Sequence, residues 1–269
     1  MSNLKDKIKE TYAAVVNEEN DTTNCCTPSQ DFVTSCCGPN AEVTGFSEDY
    51  SQLPGYQAEA DYGLGCGIPV AIAGIAQDHT VLDLGAGAGN DVFVARSLVG
   101  AGGKVIGVDM TPAMIEKANA NKQKLGYENV EFILADIENL PLVENSIDVV
   151  ISNCVLNLVS DKLATYQGIH KVLKPSGHFC ISDIVVSGPL TSKMNEIVEL
   201  YAGCIAGAMV KVDYLATIEK AGFKDATVEK EKTVYLPDDF LLQYLNAAEL
   251  REFRNSNVQI LSVTVKGVK

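Results

Sequence analysis

The chain has 269 residues, 46% of them hydrophobic, enough for one large domain with a buried core or one domain with a small appendage. Its 21 Lys and Arg stand against 35 Asp and Glu, a net charge of −14, so nothing is gained from counterion release at a phosphate backbone, and neither nucleic acid nor an anionic membrane surface is an expected partner. No apolar run of about 18 residues is present to span a membrane, and MSNLKDKIKETYAAVV lacks the apolar core of a secretory signal, so a cytoplasmic protein with reduced cysteines is expected.

Leu4, Ile8, Thr11, Tyr12 and Val15 recur at helical spacing, which predicts a short amphipathic helix over residues 3–16. Residues 17–54 are rich in Asn, Asp, Thr, Ser, Gly and Pro and carry two adjacent pairs, Cys25-Cys26 and Cys36-Cys37. This stretch reads as a long irregular arm or lid. The apolar run TVLDL at 80–84 ends in glycines and reads as a buried strand before a tight turn; NDVFVARSLV at 90–99 is the helix after it. KVIGV at 104–108 is a second strand. Thr111-Pro112 starts a helix to about Leu125, with Pro in its first turn. Strands are expected over 130–134, 147–152 and 177–184, with a helix at 162–173 stopped by Pro175 and Gly177. Beyond Ser187 the reading is a helix over 192–209, a second over 212–221 closed by Gly222, and two late strands at 225–236 and 258–266.

Strand–helix alternation predicts an α/β fold, a Rossmann-like, mostly parallel sheet with helices on both faces. The two late strands lack a helical crossover and predict an antiparallel edge. The expected division is an N-terminal helix and Cys-rich arm (1–55), a central nucleotide-type domain (56–187), and a substrate-binding C-terminal region completing the sheet (188–269).

Gly85, Gly87 and Gly89 follow a strand and open a helix, a turn that brings backbone N–H groups close to a ligand. A glycine turn alone fits several cofactors, a dinucleotide among them. The spacing G-x-G-x-G with Asn90 next, Asp83 two residues before the first glycine, and Asp109 and Asp136 at the ends of the next two strands sharpen it. V-L-D-L-G-A-G-A-G-N, I-G-V-D-M-T-P-A-M and A-D-I-E-N-L-P resemble the class I S-adenosylmethionine-dependent methyltransferases over residues 78–185. That resemblance implies a seven-stranded sheet with an antiparallel last strand. It places Asp83, Gly85, Gly87 and Asn90 near the methionine moiety, Asp109 and Met110 on the ribose, Asp136 and Ile137 on the adenine, and Met114 close by, with Ala86 also in the cofactor set. Tyr62 and Asn153, in the flanking segments, are counted with the cofactor set.

The acceptor should show how it is activated, and O- or N-acceptors usually need a base or a polar clamp. His79, His170 and His178 form no obvious base or metal pair. Cysteines are better placed: Cys66 just before the core, Cys154 after the fourth strand, and Cys204 in the small-residue run A-G-C-I-A-G-A. Cys180 alternates within a strand and reads as core. Y-G-L-G-C-G-I-P, S-N-C-V-L-N-L-V-S-D-K and G-C-I-A-G-A resemble the three cysteine segments of the arsenite S-adenosylmethionine methyltransferases, and the doubled cysteines those of the bacterial members. The resemblance implies arsenite and methylated arsenite as substrates, held by Cys66, Cys154 and Cys204. It implies a disulfide-forming step, for which Cys36 or Cys37 is the candidate, and an external thiol reductant such as thioredoxin or glutathione. Trivalent arsenic is soft and suits thiolate ligands. No bound metal cofactor is expected, and a monomer is expected. A quinone-type C- or O-methyltransferase shares the cofactor core but gives the thiols no task. A metalloid-sequestering protein gives the cofactor core none.

Overall fold

The computed structural model describes residues 2–18, 48–191, 193–194 and 207–269. Cys25, Cys26, Cys36, Cys37 and Cys204, and most of the helix expected over 192–209, lie outside them. Apolar runs with Val and Ile supply most of the strands, as β-branched side chains suit a pleated surface covered on both faces, whereas the edge strand KDATVEKEKTV is charged and mostly exposed. The strands are β1 (Thr80–Leu84), β2 (Lys104–Asp109), β3 (Val130–Leu134), β4 (Ile147–Asn153), β5 (Leu173–Val186), β6 (Lys224–Val234) and β7 (Ile260–Val268). The sheet order is β3-β2-β1-β4-β5-β7-β6. The first five strands are parallel neighbours, and β7 runs antiparallel to both β5 and β6. The expected antiparallel end is thus present, with the reversed strand β7 seated inside β6. This is the seven-stranded arrangement that the resemblance implies.

Helices α1 (Ser2–Glu18), α2 (Pro69–Ile72), α3 (Asn90–Val99) and α4 (Pro112–Leu125) are packed on one face of the sheet. Helices α5 (Lys162–Val172) and α6 (Lys211–Lys220) cover the other. Alternation along β1 divides its side chains: Val81 joins the first core, Leu82 and Leu84 the second. Helices α7 (Asp238–Leu241) and α8 (Ala247–Asn255) bring Leu241 and Leu250 to a third apolar cluster, together with Ile184 and Val186 at the carboxyl end of β5. Among the described residues no helix is long and apolar enough to cross a membrane.

Three expectations are corrected. The helix expected to run to Met209 does not reach it: Gly207 has φ +94 and is a turn, and Val210 bridges Val186. The fifth strand begins at Leu173, ahead of Pro175, because Leu173 pairs with Ile147 before the register jumps to His178 and Val149. A bulge absorbs Pro175, which has no N–H to give to a ladder. Finally, α7 and α8 occupy a stretch for which no element was expected.

Candidate active site

A cleft of about 1090 Å³ lies beyond the carboxyl ends of β1, β2 and β4. Sheet order reverses there, between β1 and β4, which is where open α/β sheets bind ligands. All twelve residues expected to hold the cofactor line it: Tyr62, Asp83, Gly85, Ala86, Gly87, Asn90, Asp109, Met110, Met114, Asp136, Ile137 and Asn153. The glycine turn is held down by Gly85 and Ala86, whose N–H groups donate to Val108 O at 2.8 and 3.0 Å. Gly85 has φ +73, and a Cβ there would stand 2.2 Å from Val155 Cγ2. Both conditions demand glycine.

The turn leads straight into Asp109. Its two carboxylate oxygens accept the N–H groups of Gly87 at 3.0 Å and Thr111 at 2.8 Å, so the end of β2 fixes the turn and the start of α4 together. Asn90 opens α3, and its Oδ1 is buried with no hydrogen-bond partner among the described residues. Asp83 is 2% exposed. Burial, then the nearby charges of Asp91 and Asp109, lift its carboxyl well above the usual range. Asp109 is lifted as well, by burial.

Sequence reasoning missed several walls of this cleft. Lys5, Ile8 and Tyr12 of α1 line it. Lys5 Nζ donates to Asp136 Oδ2 at 2.6 Å and also to Glu138. Burial opposes the charge on Glu138, but hydrogen bonds from Lys5, Ser160 and Asp161 hold its carboxyl down at about 2. Tyr50, at the end of the supposed arm, is 3% exposed and donates to Asp91 Oδ1 at 3.0 Å. Burial lifts Asp91 to about 6 against the hydrogen bonds from Tyr50 and Asn153. The signals available were Ile8 and Tyr12 on one helical stripe and Asp91 directly after the glycine turn.

Of the three cysteines expected to hold the substrate, Cys66 and Cys154 are brought into one buried apolar cluster, and Cys154 also lines the cleft. Both carry thiols. Cys154 follows the last residue of β4 in a left-handed turn, φ +64, and its N–H donates to Ser182 O at 2.8 Å. Cys66 N–H donates to Asn153 Oδ1 at 2.9 Å, and Ser262 Oγ donates to Cys66 O at 2.5 Å. Cys204, Cys36 and Cys37 lie outside the described residues. Cys180 is enclosed in the core against α2 and α3, where burial pushes its thiol up to about 12. None of the histidines lines the cleft. His79 Nδ1 accepts from Ala76 N–H, His178 Nε2 pairs with Ala73 O, and His170 stands edge-on to Phe223. Among the described residues no group of three His, Cys, Asp or Glu is arranged to hold a metal ion.

A family model described as a methyltransferase domain matches residues 75–233. The arsenite methyltransferase of Halobacterium salinarum is 39% identical over 247 residues, 87% of this chain and 61% of that protein. The arsenite methyltransferase of Aquipseudomonas alcaligenes is 32% identical over 228 residues, 82% of this chain and 65% of that protein. The chain thus spans less than two thirds of the length of these curated relatives. The crystal structure of an arsenic(III) S-adenosylmethionine methyltransferase from Chlamydomonas reinhardtii is similar at a TM-score of 0.65 and 38% identity, covering 76% of this chain and 67% of that one. With the glycine turn, the switch-point cleft and the matched domain in agreement, the chain belongs to the class I methyltransferases, and among them it resembles the arsenite methyltransferases.

Proposed function

We infer that the protein transfers a methyl group from S-adenosylmethionine to trivalent arsenic held by the thiolates of Cys66, Cys154 and Cys204. The observation that carries this reading is the pair Cys66 and Cys154, fastened to one residue, Asn153, at the rim of the cleft. The cleft suits the donor. The carboxyl groups of Asp83 and Asp91, both buried, and of half-buried Asp109 would ionise more readily beside a cation, Asn90 Oδ1 has an unused acceptor, and Met114 and Ile137 offer apolar surface to a base. Asp109 would hold the ribose and Asp136 with Ile137 the adenine. When bound, S-adenosylmethionine supplies an electrophilic methyl carbon on a sulfonium.

Three thiolates satisfy the three bonds of arsenic and leave its lone pair. That pair forms the As–C bond as the donor's S–C bond breaks, and the sulfonium becomes a neutral thioether. No general base is needed, in keeping with a cleft lined by no histidine among the described residues. The chain's contribution is orientation of the arsenic toward the methyl carbon. Arsenic is formally oxidised by two electrons in the transfer. Two thiols closing to a disulfide return them, with Cys36 or Cys37 as candidate partner, and an external thiol reductant reopens the bridge by exchange. The substrate thiols have no task in a quinone-type methyltransferase.

The test is product speciation after incubation with arsenite, S-adenosylmethionine and a thiol, for the parent and for Cys66→Ser, Cys154→Ser and Cys204→Ser. Methylarsenicals from the parent and their loss in each variant are expected. Full turnover of arsenite by Cys154→Ser or Cys204→Ser would sink the three-thiol arrangement.

A further inference from the structure

Asn153 was expected to contact the cofactor, yet its carboxamide is committed elsewhere. Its Oδ1 accepts the Cys66 N–H at 2.9 Å. Its Nδ2 donates to Gly67 O at 2.8 Å and to Tyr50 Oη at 2.8 Å. An amide nitrogen has two hydrogens, so these two partners exhaust it. The Tyr50 hydroxyl has one hydrogen. Gly67 O at 3.1 Å and the Asp91 oxygens at 3.0 and 3.1 Å are within its reach, and a carboxylate is the stronger acceptor, so the hydrogen goes to Asp91. The polar run is therefore Asp91, Tyr50, Asn153, then the Cys66–Gly67 backbone, and Tyr50, Asp91 and Cys66 are all buried.

The glycines around Cys66 acquire a reason. A Cβ at residue 65 would stand 2.4 Å from Asn153 Nδ2, and one at residue 67 would stand 2.6 Å from Ser182 Oγ. G-C-G is the sequence that lets the loop lie flat between the Asn153 carboxamide and β5. The same Asn153 is joined by its own peptide bond to Cys154. One side chain and one backbone thus fix the two cysteines relative to each other, and Asp91, in the first turn of α3, fixes that assembly to the donor cleft.

We propose that Asn153, braced by Tyr50 and Asp91, is a positioning residue that sets Cys66 against Cys154 and locks both to the methyl-donor cleft, rather than a residue that binds the donor. This deepens the reading of the site as an arsenic methyltransferase and rests on it for the substrate. It rests on the hydrogen bonds alone for the placement of Cys66. The amide that spans the loop is the feature at stake, so Tyr50→Phe, which keeps the ring, and Asn153→Ala both weaken it.

Two quantities are measured on the parent and both variants: S-adenosylmethionine affinity by calorimetry, and the arsenite concentration that protects Cys66 and Cys154 from alkylation, read peptide by peptide by mass spectrometry. Donor affinity is expected to stay within about three-fold, while protection needs about ten-fold more arsenite, the loss of one to two buried hydrogen bonds. Donor affinity falling in step with protection would overturn the proposal in favour of direct donor binding. Unchanged protection in both variants would overturn it outright. If arsenite fails to protect even the parent, the arsenic reading falls, and the alkylation rates without arsenite decide the placement alone. Faster modification of Cys66 in the variants, with Cys180 unchanged, then upholds the bracket, and equal rates refute it. Should Asn153→Ala fail to fold, Tyr50→Phe carries the same comparison.

Discussion

Asp183 on β5 is fully buried behind the site, and Asp183→Asn is expected to reveal what its charge costs. Burial is the largest influence and lifts its carboxyl to about 7, against the opposing pull of Lys162, the Ile184 N–H at 3.0 Å and the Tyr214 hydroxyl at 3.5 Å. A carboxyl in the unfolded chain titrates near 3.9. Since the folded value is the higher one, the folded state keeps a proton that the unfolded state has released. Stability from this group is complete below about pH 4 and is lost as pH rises toward 7. Between pH 5.5 and 7 the span is about 1.5 units at about 1.4 kcal/mol each, so ~2 kcal/mol is lost, with little further change above pH 8.

A carboxamide cannot ionise, can still accept from the Ile184 N–H, and can turn its amino group to Tyr214 Oη, which pairs with Tyr166 Oη at 2.7 Å. The other lifted carboxyls, Asp83, Asp91 and Asp109, titrate in both proteins and cancel in the comparison. Urea unfolding at pH 5.5, 7 and 8.5 is the assay. The variant is expected to gain about 2 kcal/mol on the parent between the first and last of these, equivalent to roughly 4 °C in melting temperature for a chain of this size. A gap constant to within about 0.5 kcal/mol would mean that Asp183 is already ionised at pH 5.5, with Lys162 as its counter-charge, and would refute the reasoning.

Gly85→Ala adds a Cβ 2.2 Å from Val155 Cγ2 at φ +73. It is expected to cost about 3 kcal/mol of stability. Adding Val155→Ala relieves the overlap but not the backbone strain, so unfolding curves should recover only part of the loss. Lys5→Met removes the ammonium that ties α1 to Asp136 and Glu138. Both partners are partly open to solvent, so S-adenosylmethionine affinity by calorimetry should weaken about five-fold or less. Cys180→Ala is expected to leave turnover unchanged, because a thiol pushed up to about 12 supplies almost no thiolate at neutral pH. Donor binding at pH 6 is expected to release protons, as a sulfonium entering beside Asp91 lowers a carboxyl that burial holds at about 6. Calorimetry in two buffers of different ionisation heat measures this, and the neutral product, S-adenosylhomocysteine, should release fewer.

The elements from β1 to β4 were readable because each apolar run ends in its own punctuation: glycines after Leu84, Asp109 with Thr111-Pro112, and Asp136 after β3. Most of the twelve cleft residues were readable for the same reason, since they sit at or just after strand ends; Tyr62 precedes β1 and Met114 lies within α4. The bulge at Pro175 was not, because it depends on Ile147 in another strand. Helix α8 had a legible start: Asn246 Oδ1 accepts from the N–H groups of Ala248 and Glu249, and Glu249 accepts from Asn246 N–H. That N-A-A-E box precedes a helix that buries only Leu250, so periodicity gave little support.

Tyr50 shows where reading by segment fails. It lies next to a polar stretch, and composition assigns it to an irregular arm. Its hydroxyl is held by Asp91 and Asn153, 41 and 103 residues away, and its side chain belongs to the apolar cluster that includes Val70 and Phe93. A lone tyrosine in polar sequence carries no periodic signal, and the residues that bury it and bond its hydroxyl lie in other segments. The same holds for the glycines around Cys66, which a pattern can only note as small. Their need arises from a carboxamide on β4 and a hydroxyl on β5. Strand-end motifs thus report the part of the site made by local backbone. The part that fixes the cysteines is a set of long-range hydrogen bonds, each of whose members looks ordinary in its own segment. A substitution there would leave every local motif intact and still move Cys66.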